Sequence, residues 1–355
     1  PKILPLPEIL RVIQYCLDDR VEKYNTAIDL IDGISHLRSD IEFLNFKAMV
    51  EFCAKKYVRA AQTAEQILEQ VQNSNTYFNA GRAVYKAHQI EKSLEYFDRA
   101  LELDPDNVSV ILDRAVSICT MGLFDQAFDI INNIDKSLYD TRNQKIVEFN
   151  KGWHYIRKGN FKRGVELLNI GRDLKLLGTH TGQYDRPEWD GTTHPGCTIL
   201  IIGEGGIGDE VINARFSETL NDRGMRAIMS TVHKNQSMLG SVKTIDKVID
   251  NADISSTKDW DYWVPCMSLP YKLKIDSTEI PRKPYIAAKP FYINKWSNIV
   301  KSDKKLKVGV RWMGNQLYEL ELARTLPVEY FDELNDFDVQ LFSLQKDDGI
   351  KNLRL

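Results

Sequence analysis

Four glycines followed by two acids, in the run Gly203-Glu204-Gly205-Gly206-Ile207-Gly208-Asp209-Glu210, form the stretch of this chain best suited to chemistry. Glycines let a backbone turn sharply and let a ligand approach it closely. Asp209 and Glu210 suit the positive end of a helix dipole. Residues 198–202 before the loop are short, apolar and β-branched, which predicts a strand buried on both faces. Strand, glycine loop and helix start in that order mark the place where open α/β sheets receive ligands. The simpler alternative is a tight strand-to-helix turn with no ligand at all.

Gly203, Gly205 and Gly208 also satisfy a dinucleotide-binding pattern. That pattern calls for an acid about 20 residues past the loop to hold a ribose. No Asp or Glu occurs between Gly224 and Ile245, whereas Thr231, His233 and Lys234 suit a ribose 2′-phosphate. An NADP-dependent oxidoreductase is therefore one expectation for this segment.

The elements that must position the loop alternate. A helix is expected over 209–223, closed by Gly224, with strands at 227–231, 247–250 and 262–264 and a helix at 235–239. Such alternation predicts a parallel sheet. A helix over 291–301 leads to a fresh strand at 307–311 that opens a second unit, then a helix at 328–334 and a strand at 339–344, with the sequence ending at Leu355. Two strands and a helix are too few for an independent core. The second half is thus expected to be incomplete within these residues.

Residues 8–176 repeat instead. Ala27, Ala60, Ser93, Ala127 and Gly164 recur at spacings of 33, 33, 34 and 37. A period near 34 with a small residue in the second helix marks paired-helix repeats. The clearest copy, 74–107, carries Tyr77, Ala80, Gly81, Val84, Ser93, Phe97, Ala100 and Pro105, where the small residues allow close helix crossing and the proline stops the second helix. This copy resembles the tetratricopeptide repeat. Further copies open near Ile41, Val108 and Lys145, and 8–37 reads as a capping copy. Such arrays bind extended protein segments, and Asn79, Lys86, Arg114 and Asn150 are candidates for lining the groove.

With 355 residues and a net charge of −3, the chain is long enough for two or three domains and gives no reason to expect a nucleic-acid partner. Five scattered cysteines without a C-x-x-C pair argue against structural zinc and a disulfide framework, and fit a reducing cytoplasm. No apolar run reaches the roughly 20 residues of a membrane span.

A longer series of motifs is similar to one family. Trp189-Asp190-Gly191, the glycine loop with Asp209, Arg215-Phe216, Asp261-Tyr262, Ser268-Leu269-Pro270, Pro284-Tyr285, 308–315, Arg324-Thr325-Leu326-Pro327 and 343–346 arrive in one order. The series resembles tetratricopeptide-repeat glycosyltransferases whose catalytic part is like the heptosyltransferases. The resemblance implies an α plus α/β protein: a helical solenoid, 1–177, a linker, 178–196, a Rossmann-like half of GT-B type, 197–290, and the start of a second half, 291–355. It implies metal-independent transfer of a sugar from a nucleotide-sugar co-substrate, with no other cofactor, to a protein or saccharide acceptor. Asp209 matches the general base, Arg324 the donor-phosphate contact, and Gly205, Gly206 and Gly208 the acceptor loop. Asn315 and Lys346, on neighbouring strand-end loops, are further candidates for donor-phosphate contact in the same cleft. Gly205 stands where the family usually has glutamine. The alternative is a non-catalytic scaffold in which the repeats bind protein.

Overall fold

The computed structural model describes residues 6–16, 23–35, 40–178, 184–300, 304–314 and 324–353. The chain divides into two compact units, 131–302 and the remainder.

In the first unit helices come in pairs: α1 (Leu6–Cys16) with α2 (Tyr24–Ile34), α3 (Ile41–Cys53) with α4 (Tyr57–Gln70), α5 (Ser74–Lys86) with α6 (Ile90–Leu103), and α7 (Val108–Thr120) with α8 (Phe124–Asn132). The second unit opens on another pair, α9 (Thr141–Arg157) and α10 (Phe161–Asn169). From α3–α4 onward the local code for a pair is written at its two turns. Asp40, Asn73, Asn107 and Asp140 cap α3, α5, α7 and α9, each side chain accepting a backbone N–H of the first turn. Capping satisfies donors that a helix start otherwise leaves open. Between the helices of a pair the chain reverses through a left-handed residue: Lys55 (φ 58°), His88 (φ 63°), Gly122 (φ 83°) and Gly159 (φ 82°).

The small residues at near-34 spacing are all buried, as their role in helix crossing requires. Ser93 keeps its hydroxyl satisfied by donating to the Ile90 carbonyl at 2.6 Å, with the Ser117 hydroxyl oxygen 3.1 Å away. At Gly81 a Cβ would lie 2.5 Å from the Phe97 ring. Gly81→Ala is therefore expected to destabilise the first unit by about 1–3 kcal/mol, the usual penalty of overpacking, read as a lower denaturant midpoint at unchanged slope.

The second unit continues into a four-stranded parallel sheet of order β3-β2-β1-β4, with β1 Thr198–Ile202, β2 Arg226–Thr231, β3 Lys247–Asp250 and β4 Tyr262–Pro265. β1 is buried along its whole length, as its continuous apolar run predicts. Helices α11 (Ile207–Ala214), α12 (Ser217–Asp222), α13 (His233–Leu239), α14 (Leu269–Lys272) and α15 (Pro290–Val300) connect or follow the strands. The single helix expected over 209–223 is two helices starting earlier, at Ile207, and broken at Arg215-Phe216. Phe216 there turns inward, 1% exposed, and stacks on Phe161 with ring centroids 6.4 Å apart. Trp189 is fully buried in the core of this same sheet, and its backbone N–H donates to the Trp263 carbonyl at 2.7 Å.

Residues 304–353 hold a parallel pair, β5 (Leu306–Val310) and β6 (Val339–Ser343). The intervening 328–336 segment is a 3₁₀ run rather than the expected α-helix.

Candidate functional site

The sheet order places a topological switch point between β1 and β4, because the chain leaves β1 toward β2 on one side and returns on the other. The glycine loop lies at the carboxyl end of β1, beside the turn 266–268 that follows β4. Side chains and backbone from three segments meet beside it. Arg172, just after α10, donates through both terminal nitrogens to the Glu204 carboxylate (Nη1 to Oε2, 2.6 Å; Nη2 to Oε1) and through Nε to the Ser268 hydroxyl at 2.8 Å. Ser268 in turn donates to Asn169 at 2.7 Å, and the Met267 N–H donates to Glu204 at 3.1 Å. The Glu204 side chain is completely buried. The Cys266 thiol donates to the Glu204 carbonyl at 3.8 Å, and burial pushes its pKa far above the usual thiol range. An inert, buried thiol results.

The loop acids are equally occupied. Asp209 accepts the Gly206 N–H at 2.7 Å, which is one half of a capping box; Gly206 has no side chain to return the bond. Glu210 is buried and accepts from Thr231 at 2.6 Å and Asn235 at 3.1 Å. Thr231 is fully buried and its hydroxyl is engaged, so it does not offer itself to a ribose phosphate; His233 and Lys234 are exposed. Gly203 is required by packing, since a Cβ there would lie 2.4 Å from the Ser230 carbonyl oxygen and 2.5 Å from Glu210. Gly205 holds a left-handed φ of 71°, and Gly206 and Gly208 are exposed.

Arg324 and Lys346 are exposed on loops following β5 and β6, in the other unit from Asp209. Asn315 lies outside the described residues. Beside Lys346, Gln345 is buried and ties the two loops together: it accepts the Trp312 and Met313 N–H groups at 3.2 and 3.0 Å and donates to the Met313 carbonyl at 3.1 Å.

A different site emerges in the helical pairs. A cavity of about 260 Å³ opens between α3, α4 and α5. Its walls are mainly apolar, built from Ala48, Met49, Phe52, Ala60, Ala64 and Ile67, and its rim carries Asn45, Thr76, Asn79 and Arg82. Small residues on α4 and α5 create the space that larger ones would fill. Asn45, Asn79 and Asp113 stand 34 residues apart on α3, α5 and α7, Asn79 and Asp113 each six residues after the cap of its helix and Asn45 five after Asp40. Asn79 is exposed and makes no hydrogen bond among the described residues. The Arg82 guanidinium lies 5.5 Å from the Phe52 ring centre and 5.6 Å from that of Phe78, and reaches Asp113 at 3.5 Å. Burial holds the Asp113 carboxyl above its ordinary range, opposed by the charges of Arg82 and Lys86.

Of the candidate groove residues, Asn79 lines this cavity. Arg114 is paired with Asp98 at 2.6 Å, and Asn150 donates to the Ile146 carbonyl of its own helix at 2.9 Å. Sequence reasoning missed Arg82, Asn45 and the cavity walls. The equal spacing of Asn45, Asn79 and Asp113 was the available signal. Arg172 and Glu204, 32 residues apart, gave none.

Residues 74–107 match the tetratricopeptide repeat family. The chain is 28% identical over 92 residues to human Tetratricopeptide repeat protein 6, covering 26% of this chain and 18% of that protein. It is 26% identical over 96 residues to the Hsp70-Hsp90 organizing protein of Triticum aestivum, covering 27% of this chain and 15% of that protein. The chain thus spans less than a fifth of either relative. Among solved structures, it is similar to YrrB, described as a TPR protein with an unusual peptide-binding site, at TM-score 0.34 and 19% identity over 47% of this chain and 84% of that one. MamA is similar at TM-score 0.35 and 14% identity over 44% and 95%. The N-terminal helical region is a solenoid-like stack containing a tetratricopeptide repeat, and the C-terminal region carries parallel α/β sheets.

Proposed function

We propose that this protein is a binding scaffold whose helical repeats grip an extended segment of a partner protein. The observation that carries this reading is the cavity between α3, α4 and α5, with Asn79 unengaged at its rim, inside the stretch that includes the tetratricopeptide repeat. An asparagine amide offers both a donor and an acceptor to a peptide backbone. At about 260 Å³ the cavity falls below the roughly 300–1,000 Å³ of pockets that enclose a drug-sized ligand. It suits a side chain better than a nucleotide sugar. The chain is similar over about a quarter of its length to a human tetratricopeptide repeat protein and to the wheat Hsp70-Hsp90 organizing protein, whose names agree with a protein partner.

The test is selection of a displayed random-peptide library on the full chain, repeated with Asn79→Arg, which places a long charged side chain across the rim. Enriched peptides that bind the native chain and not the variant are the expected result. Absence of enrichment, or binding indifferent to the variant, overturns the reading.

Transfer of a sugar from a nucleotide-sugar donor is the second reading. It is favoured by the β3-β2-β1-β4 order with a glycine loop at the switch point and by the separate parallel pair β5–β6. The bonds already made by Glu204, Asp209 and Glu210 count against it. Calorimetry with a nucleotide-sugar panel is expected to show no binding. Micromolar binding that Arg324→Ala abolishes would reverse the order of the two readings.

A further inference from the structure

Helix α15 buries none of its 11 residues. A helix of that length is marginal in water, and most helices in proteins gain their stability by packing an apolar face. The sequence of α15 supplies such a face. Tyr292, Ile293, Trp296, Ile299 and Val300 follow the i, i+1, i+4, i+7, i+8 spacing that gathers side chains on one stripe, and Asn294, Ser297 and Asn298 lie opposite. Ile293 is 55% exposed and Trp296 50%. The charge around this stripe has one sign. Between Glu279 and Asp303 the sequence carries Arg282, Lys283, Lys289, Lys295 and Lys301 and no acid, although the whole chain is at −3. Arg282, Lys283, Lys289 and Lys295 are exposed and enter no ion pair among the described residues. The Lys295 ammonium stands 5.2 Å from the centre of the Trp296 ring, so cation and apolar stripe are contiguous.

Stripe and charge together select what covers α15. A second copy is disfavoured, because the basic run of one chain would meet that of the other. A stripe along a helix about 16 Å long also falls short of the roughly 800 Å² per partner that a specific dimer buries. An anionic partner answers the charge, and the aromatic residues favour a lipid one. Tyrosine and tryptophan concentrate at membrane–water interfaces, where the ring body is in an apolar medium and the polar tip is wet. We propose that α15 lies in the plane of an anionic phospholipid surface. Tyr292, Ile293, Trp296 and Val300 enter the boundary between headgroups and acyl chains, and the flanking lysines bury their stems while their ammonium groups meet headgroup anions. At 11 residues the helix is far below the roughly 20 that cross a bilayer. Attachment is therefore peripheral and reversible, carried jointly by one apolar stripe and a basic run. It is independent of what the helical repeats bind.

The experiment sediments the full chain with vesicles of phosphatidylcholine alone and of phosphatidylcholine mixed with phosphatidylserine, and follows hydrogen exchange of the 290–300 amides on each. Co-sedimentation with the phosphatidylserine vesicles, weakening as salt rises, and slowed exchange within α15 are the expected results. Lys289→Gln combined with Lys295→Gln is expected to lower partitioning about twentyfold, the scale of two basic residues near an anionic surface. Ile293→Gln combined with Trp296→Gln is expected to abolish it. Both positions are exposed and glutamine suits a helix, so the melting temperature, checked alongside, should not change. Polyglutamate and sedimentation of the lipid-free chain test the other occupants. Failure to sediment with phosphatidylserine vesicles, equal sedimentation with neutral ones, or binding indifferent to either double variant overturns the proposal. So does protection of α15 by polyglutamate and not by vesicles, which makes the partner an acidic protein. A dimer that Ile293→Gln with Trp296→Gln dissolves overturns it too, in favour of a second copy.

Discussion

Arg172→Met is expected to destabilise the second unit by about 3–5 kcal/mol, the range seen when one partner of a buried ion pair is removed. The reason lies in what remains. Glu204 is fully enclosed, and its carboxylate is held by both terminal nitrogens of Arg172 together with the Met267 N–H. Methionine fills much of the arginine's volume and supplies no donor. The residual Met267 bond does not compensate for the lost counter-ion, and the carboxylate is left buried without its partner. Ser268 loses the donor that reaches its hydroxyl at 2.8 Å and keeps only Asn169. Urea titration followed by tryptophan fluorescence measures the effect, with Trp189, Trp260 and Trp263 as reporters in the same unit. The double variant Arg172→Met with Glu204→Leu should recover a large part of the loss, because an apolar pair of similar size is often as stable as the buried ions it replaces. A single variant within about 0.5 kcal/mol of the native chain, the scatter of ordinary surface changes, would refute the assigned role.

Arg59→Met is the second large effect, expected at about 3 kcal/mol in the first unit, the lower end of the same range because solvent screens its outer face. Arg59 bridges a buried and an exposed acid. Its Nε donates to Glu51 at 3.1 Å, and the outer nitrogens hold Asp32. The Glu51 side chain is 1% exposed and, among the described residues, retains only the Thr63 hydroxyl at 2.7 Å once Arg59 is gone. The change also alters the acid limb of the stability curve. Hydrogen bonding from Arg59 lowers the Asp32 pKa below its ordinary value of 3.8, working against the desolvation of that carboxyl. A carboxylate depressed on folding binds fewer protons in the native state. It therefore contributes stability above its unfolded pKa, and that contribution is lost as pH falls through the lowered one. Stability measured from pH 7 down to pH 2 should fall more steeply at the acid end for the native chain than for Arg59→Met.

The helical pairs were legible in the sequence because their signals are local and periodic. Small residues at Ala60, Ser93 and Ala127 sit where two helices touch, and the same spacing returns copy after copy. Strand β1 was legible for a similar reason, since five consecutive apolar or β-branched residues have few other homes. What escaped was decided at long range. The chain breaks its helix at Phe216, an apolar residue that any periodic reading carries straight through, because the ring is needed against Phe161. The meaning of the glycine loop was also set elsewhere. Nothing in one dimension shows that Glu204 pairs with Arg172, that Asp209 accepts the Gly206 N–H or that Glu210 accepts from Thr231. Arg82 was overlooked because its neighbours Phe52 and Asp113 come from different repeats.

Each helical pair from α3–α4 onward carries its own opening cap and its own left-handed reversal, at Asp40 and Lys55, Asn73 and His88, Asn107 and Gly122, Asp140 and Gly159. The array therefore behaves like a one-dimensional crystal whose unit cell is complete in itself. Copying or deleting one cell leaves every boundary with its own conformational instructions, so length can change by a whole step without new turn chemistry having to evolve. Gene duplication inside the array would lengthen the stack one pair at a time, and a partner contacting several cells would feel that change as a shift in reach rather than in the chemistry of any one pocket.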